Sequence, residues 1–362
     1  MIKGVFNNEI VDLLMQIEQS RTQFSGIKLP LTLTDKLRKS SRKKSSYASN
    51  RIEGNPLSEE QASEAIESSR RHYLKPEQEI RNYFDALLFL EKEADAGRPL
   101  SVDLLLRVQA LIVRGEGAEK RGLRGPMPPG ILFAVYDDLT GAADYIPPEA
   151  SELKSLLDEL FTYMSESADH PLVKAALFHY QLLTIHPFED GNGRTARLLA
   201  DYYLDISGYG FGRIGSLEEY FAYDVEAYYH ALQMGLPALY YSGRMNPPHP
   251  EIWITYFLKM MALHARRAVE LATAPEEQQS VASYSFLNVK ERNFLQRLLL
   301  QKKKVFTPIE MATQCGVTNR TIINWCATLA KNGFLVPDGA GARIRAYRLT
   351  ALALSIDPNT IQ

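Results

Sequence analysis

Chemistry is concentrated in twelve residues, His186-Pro187-Phe188-Glu189-Asp190-Gly191-Asn192-Gly193-Arg194-Thr195-Ala196-Arg197. A histidine titrates near neutrality and can take a proton from an attacking hydroxyl, which makes His186 a candidate general base. When ionised, Asp190 can only accept hydrogen bonds, and a single carboxylate suits a magnesium ion that also binds phosphate oxygens. Gly191 and Gly193 allow positive φ and close backbone approach. Arg194 and Arg197 lie three residues apart and so share a helix face. Cations in a first helical turn oppose the helix dipole, at about 0.3–1 kcal/mol each. Two of them beside paired glycines make sense around a chain of phosphates. A plainer reading is a turn with a buried histidine and surface ion pairs, for example Arg197 with Asp201 at i+4.

The flanking sequence predicts how these residues are held. Lys174 to Ile185 is mostly apolar and reads as a helix that Pro187 stops. Thr195 to Ile206 recovers a helical period and ends at Gly208. The segment therefore reads as helix, tight loop, helix. The free N–H groups at the start of the second helix favour an anion.

These residues resemble the signature of Fic-domain proteins, His-Pro-Phe-x-Asp/Glu-Gly-Asn-Gly-Arg-x-x-Arg, and match it at every defined position. The resemblance implies transfer of AMP from ATP, with Mg2+, to a Ser, Thr or Tyr hydroxyl of a target protein. Carried over position by position, it makes His186 the base, Asp190 the metal ligand and Asn192 a phosphate contact. Gly191, Gly193, Arg194 and Arg197 complete the phosphate-binding set. A tyrosine pair near Tyr228 and Tyr229 would line the adenine pocket, with Tyr229 preferred.

A second motif precedes the first. Ser49-Asn50-Arg51-Ile52-Glu53-Gly54-Asn55-Pro56 ends in a strong helix stop, so Glu53 projects from a last turn and should want a cation. It resembles the family's inhibitory motif, Ser/Thr-x-x-x-Glu-Gly/Asn, with Ser49, Glu53 and Gly54 at the defined positions. The resemblance implies an inhibitory helix at about 41–54 whose Glu53 pairs with Arg197 and blocks the γ-phosphate position. It leaves two other functions open: Glu53-assisted removal of AMP from a modified protein, and a DNA-binding regulator whose nucleotide site only senses ligand.

The rest of the chain reads as mostly helical. Apolar residues recur at three- and four-residue spacing in Glu9–Glu18, Pro76–Ala96, Ser101–Val113, Glu149–Ser165, Ser216–Met234 and Glu251–Leu271. Ile131–Tyr136 and Ala142–Ile146 are strand-like around a turn at Asp137–Gly141. In the resemblance this hairpin, within 131–147, is the flap that aligns a target segment by strand addition. It could equally cap the helical core. His179 and His186 share a face, but no third metal ligand stands at a persuasive spacing, and His179 reads as a core residue.

With 362 residues the chain is expected to hold more than one domain. The expected order is a helical region at 1–110, a Fic core at 111–272, a polar linker at 273–284 and a small domain at 285–362. In that last domain Thr307 caps a helix opening at Pro308, Gly316 turns the chain, and Thr318–Lys331 forms a longer helix. Phe334–Val336 and Ile344–Leu349 follow as strands around a glycine-rich loop. The pattern resembles a winged helix. Asn319, Arg320 and Asn324 stand where a DNA reader places base contacts, and Lys302, Lys303, Lys304, Arg343, Arg345 and Arg348 add positive charge. DNA, a protein partner and docking on the catalytic domain all remain open for it, as does a homodimer.

Composition narrows the class. Hydrophobic residues make up 45% and charged residues 23%, enough for a sizeable core. A formal net charge of −2 excludes a strongly basic nucleic-acid binder but not a local basic patch. No apolar run suits a membrane span, and the N-terminus lacks the apolar stretch of a secretory signal. Cys315 and Cys326 suggest free thiols in a reducing, cytoplasmic setting.

Overall fold

In the computed structural model, the described residues are 4–136, 143–236, 247–274, 287–301, 305–338, 345–354 and 358. They divide into two units, Met1–Ala272 and Thr273–Gln362.

The first unit is built on two helices buried together, α7 (Pro171–Ile185) and α8 (Asn192–Leu204). From Leu172 to Ile185, only Leu183 escapes full burial in α7. A helix that is buried all round must sit inside others. Around the pair lie α1 (Asn8–Ser25), α2 (Leu31–Ile52), α3 (Glu59–Glu67), α4 (Lys75–Asp95), α5 (Val102–Ile112) and α6 (Leu153–Glu166). After α8 come α9 (Glu218–Tyr223), α10 (Val225–Gln233) and α11 (Pro250–Thr273). One apolar cluster runs from Ile10 to Ala268, with no break at residue 110.

Helix α2 differs from the rest. Its buried face is Ser41, Ser45, Ser46, Ala48, Ser49, Asn50 and Ile52. Small hydroxyl side chains can be buried when they bond locally, and Ser41 and Ser46 donate to the carbonyls of Leu37 and Arg42. The polar composition hides the start of this helix, which begins at Leu31 and not near residue 41. Helix α3, opened by a capping box at Ser58 and Gln61, is an addition to the expected elements.

Other expected elements are adjusted. The helix expected over Ser216–Met234 is two, α9 and α10, because the Asp224 carboxylate caps a fresh N-terminus by accepting from Ala227. The expected strands shrink to β1 (Val135–Tyr136) and β2 (Ala143–Tyr145), paired antiparallel, and their turn lies outside the described residues.

The second unit holds its own apolar cluster, from Leu287 to Ala353. Helix α12 (Val289–Leu300) is followed by β3 (Val305–Phe306), α13 (Pro308–Cys315), α14 (Asn319–Lys331), β4 (Leu335–Pro337) and β5 (Tyr347–Leu349). In place of the two strands expected here, three form an antiparallel sheet in the order β3-β5-β4. Thr307 and Thr318 cap α13 and α14, and Gly316 takes the left-handed turn at φ 65°. Residues 275–284 of the expected linker, with Lys302, Lys303, Lys304 and Arg343, lie outside the described residues. Asn319, Arg320, Asn324 and Arg345 are exposed, and Arg348 pairs with Asp338. Among the described residues no helix is long and apolar enough to cross a membrane.

Candidate active site

The twelve-residue segment closes helix α7 and opens helix α8. His186 caps α7 in the left-handed region, at φ 49°, which turns the chain out of the helix. Gly191 is left-handed at φ 82°, and an added Cβ there would stand 3.0 Å from Ile112. Asn192 staples the loop between them: its Oδ1 accepts from the Phe188 N–H at 3.0 Å, and its Nδ2 donates to the Phe188 carbonyl at 2.8 Å. Asn192, buried within this loop, therefore shapes the cradle from inside. Among the described residues no side chain caps the N-terminus of α8, so its first N–H groups remain available to an anion.

His186 is half-buried. Its Nδ1 lies 3.3 Å from the Leu183 carbonyl. If Nδ1 carries the proton to that carbonyl, Nε2 keeps a free lone pair. Burial, with Arg124 as a further influence, pushes the imidazole down to about 4, so the ring is neutral at neutral pH. Arg124 positions the turn, since its Nε donates to the His186 carbonyl at 2.8 Å and its backbone N–H to the Pro187 carbonyl at 2.9 Å. It also bonds the Pro148 carbonyl at the far side of the hairpin.

Asp190 is held between two cations. Its Oδ1 accepts from Arg194 at 2.9 Å and its Oδ2 from Lys120 at 3.2 Å. Burial alone would raise this carboxyl, but Arg194 and Lys120 hold it below the usual aspartate range. Lys120 is in turn bound by Glu116. Arg194 is buried, and its Nε has no hydrogen-bond partner among the described residues. A buried, orphaned guanidinium N–H beside open helix N–H groups fits an anion. One half-exposed carboxylate at the rim fits a magnesium ion, provided Lys120 yields its place.

Arg197 points elsewhere. Its Nη2 donates to Glu53 Oε1 at 2.6 Å and to the Ser49 carbonyl at 3.0 Å. Its Nε donates to Ser49 Oγ at 2.7 Å, and Nη1 lies 3.5 Å from the Tyr228 hydroxyl. The Arg197 side chain is 1% exposed against 30% for Glu53. The i+4 pair with Asp201 does not form, because Ser49 and Glu53 take the guanidinium. Gly193 leaves room for this contact, since an added Cβ would collide with Glu53 Oε1.

Tyr228 is fully buried and bonds His179 Nε2 at 2.8 Å. His179 is a core residue inside an aromatic cluster with Phe221, Trp253 and Phe257. Tyr229 is 46% exposed beside Tyr228. Among the described residues no group of histidine, cysteine and acidic side chains could hold a metal by itself.

Lys120, Arg124 and Gln109 escape a reading of the sequence. Gln109 is fully buried, and its Nε2 donates to the carbonyls of Lys120 and Asp190 at 2.7 and 3.2 Å. These residues lie far from the loop in sequence, and single side chains carry no local pattern.

Fold and loop together define a helical protein with an anion-receiving turn at a helix N-terminus. Residues 99–204, from just before α5 to the end of α8, match the model of the Fic/DOC family. The protein adenylyltransferase Fic of Aedes aegypti is 40% identical over 68 residues, 18% of this chain and 14% of that protein. The corresponding protein of Drosophila melanogaster is 44% identical over 68 residues, again 18% of this chain and 14% of that protein. The match thus spans about one seventh of those relatives' length. In overall fold the chain is similar to a Fic family protein of Desulfovibrio desulfuricans, with a TM-score of 0.61, 21% identity and coverage of 97% of this chain and 98% of that one. A Fic domain-containing signaling protein of Bacteroides thetaiotaomicron gives a TM-score of 0.58 at 24% identity, over 73% of this chain and 97% of that one.

Proposed function

We propose that this chain is a protein adenylyltransferase that moves AMP from ATP to a hydroxyl side chain of a target protein and is restrained by its own Glu53. The observation that carries this reading is the 2.6 Å contact between Glu53 and Arg197 above a complete signature loop. A buried cation there needs an anion, and in the resting protein Glu53 is that anion.

In the proposed reaction the α8 N–H groups, Arg194 and Arg197 bind and orient the triphosphate. The target hydroxyl attacks the α-phosphorus, the bond to pyrophosphate breaks, and the hydroxyl proton passes to Nε2 of His186. Asp190 would hold magnesium, which supplies charge stabilisation on the phosphates when bound. The hairpin β1–β2 would offer its backbone edge to the target, and Tyr229 its ring to the adenine. The Thr273–Gln362 unit, with its winged-helix-like order of elements, would choose partners by contact with protein or DNA.

A second reading draws on one observation. The Glu53 charge reaches His186 and supports its protonated form. The Glu53 carboxylate is 30% exposed and open to a water, which it would place for the reverse task, removal of AMP from a modified protein. Incubation with ATP labelled on the α-phosphate tests both. Label should remain on Glu53→Gly protein and be lost when His186 is also changed to Ala. Release of AMP from labelled protein by the wild type, but not by Glu53→Gly, would favour removal.

A further inference from the structure

The last carbonyls of a helix have no partner inside it, and those of α7 lead into the turn that holds His186. Leu182 accepts from the His186 N–H at 3.0 Å, and the Leu183 carbonyl lies 3.3 Å from Nδ1. Donors for the carbonyls that follow come from outside the helix. The buried Tyr145 hydroxyl, on β2, donates to the Thr184 carbonyl at 2.5 Å. Arg124 donates to the His186 carbonyl through Nε at 2.8 Å and to the Pro187 carbonyl through its backbone N–H at 2.9 Å.

Arg124 reaches the hairpin as well. Its Nη2 donates to the carbonyl of Pro148, three residues beyond Tyr145. Its guanidinium carbon lies 4.7 Å from the centre of the Phe133 ring, and that ring stands 5.9 Å from the His186 imidazole. Phe133 leads into β1 and Pro148 follows β2, so both legs of the hairpin meet the histidine turn through one side chain. A guanidinium is a planar fork with fixed directions, and its two bonds hold the two carbonyls at a set spacing. An ammonium is a point donor on a flexible stem and sets no such spacing. The segment that bears Arg124 is itself pinned to the signature loop. Gln109 Oε1 accepts from the Gly122 N–H at 3.1 Å, while its Nε2 donates to the Asp190 carbonyl at 3.2 Å.

Strand β1 pairs with β2 on one side, Val135 opposite Tyr145, and among the described residues its other side carries no strand. A target strand added there takes its register from β1. The reach from such a strand to Nε2 of His186 is then set by the ties between hairpin and turn. A base must stand about 3 Å from the proton it takes, and an error of about 1 Å can cost as much as 10²-fold. We propose that Arg124 and Tyr145 are positioning residues that lock the hairpin to the His186 turn, so that a target strand on β1 brings its hydroxyl to Nε2 of His186. This rests on the reading that the hairpin presents the target and that His186 takes its proton.

The test compares two nucleophiles in a Glu53→Gly parent. Water can attack the same α-phosphorus, give its proton to His186 and release AMP and pyrophosphate, but it needs no strand on the hairpin. Transfer of label from α-labelled ATP to an excess of His186→Ala protein, an acceptor that cannot label itself, is measured beside release of AMP. The ratio of transfer to release should fall about 3–10-fold in Tyr145→Phe, which loses one neutral hydrogen bond. It should fall further in Arg124→Lys, which loses the fork. A ratio equal to the parent's, whether both rates fall together or neither does, would overturn the proposal, since damage to the fold alone lowers both alike. Hydrogen exchange of the amides of residues 143–146 and 186–192 should quicken together in Tyr145→Phe. Quickening confined to the hairpin would also overturn it. If the parent passes AMP to neither protein nor water, the adenylyltransferase reading is wrong. The paired exchange then still decides whether Arg124 and Tyr145 join the hairpin to the turn.

Discussion

His186 and Asp190 carry opposite duties in the proposed site, and their surroundings differ accordingly. Burial keeps the imidazole neutral, ready to accept a proton, while Arg194 and Lys120 keep the aspartate ionised. His186→Ala should lower transfer by about 10²–10⁴-fold, the usual loss when a general base is removed. Nucleotide affinity, followed by calorimetry, should stay close to wild type because in the proposed reaction the histidine acts on the nucleophile. The His186 value of about 4 lies below the ordinary histidine range, so the neutral ring persists as pH falls through about 6.5 and is lost only towards 4. Proton NMR of the ring, assigned with the Ala variant, should show no titration step between about pH 8 and 5. A midpoint near 6.5 would mean that the ring is hydrated. The sign for stability follows: with a depressed folded value, this group's contribution is fully present above about 6.5 and is lost as pH falls towards 4. Lys120 competes for the Asp190 oxygen that a metal would use. Lys120→Ala should therefore lower the magnesium concentration needed for nucleotide binding, and Asp190→Ala should raise it. Unchanged magnesium titrations in both would remove the metal role from Asp190.

At the scale of elements, α2 is a helix that presents serines to its neighbours and ends on a carboxylate. Its small buried side chains bring the Ser49–Glu53 turn within reach of α8. Glu53→Gly should raise self-labelling, and adding Arg197→Ala should return it to a low level, since in the proposed reaction the freed arginine orients the triphosphate. The stability cost of Glu53→Gly should fall between the roughly 0–1 kcal/mol of an exposed pair and the roughly 3–5 kcal/mol of a buried one, because only the Arg197 half is sealed. Thermal unfolding checks this. Equal labelling from wild type and Glu53→Gly would end the inhibition reading even if the signature proved catalytic.

Across the whole molecule, the two units carry separate apolar clusters, one from Ile10 to Ala268 and one from Leu287 to Ala353. A chain cut after Ala272 should therefore remain folded and keep self-labelling, with altered choice of target. Circular dichroism and labelling of the shortened protein measure this. Insolubility would show that the second unit completes the first. Local chemistry is legible in the sequence wherever a pattern is short and contiguous. The stop at Pro187, the cap at Thr307 and the signature loop depend on neighbours in the chain. The polar start of α2, the break at Asp224 and the third strand, Val305–Phe306, are hidden. Serine burial and edge pairing depend on partners that the chain supplies from elsewhere, whereas the Asp224 cap is local and is masked by the apolar period that runs across it. The candidate site divides in the same way. From its residues alone the chain determined a histidine, a carboxylate and two arginines around paired glycines. Only the tertiary structure decided that the two arginines part company, Arg194 to Asp190 and Arg197 to Ser49 and Glu53. It also decided that Lys120 sits on the Asp190 carboxylate. A buried charge takes the nearest partner in space, and distance along the chain has no part in that choice.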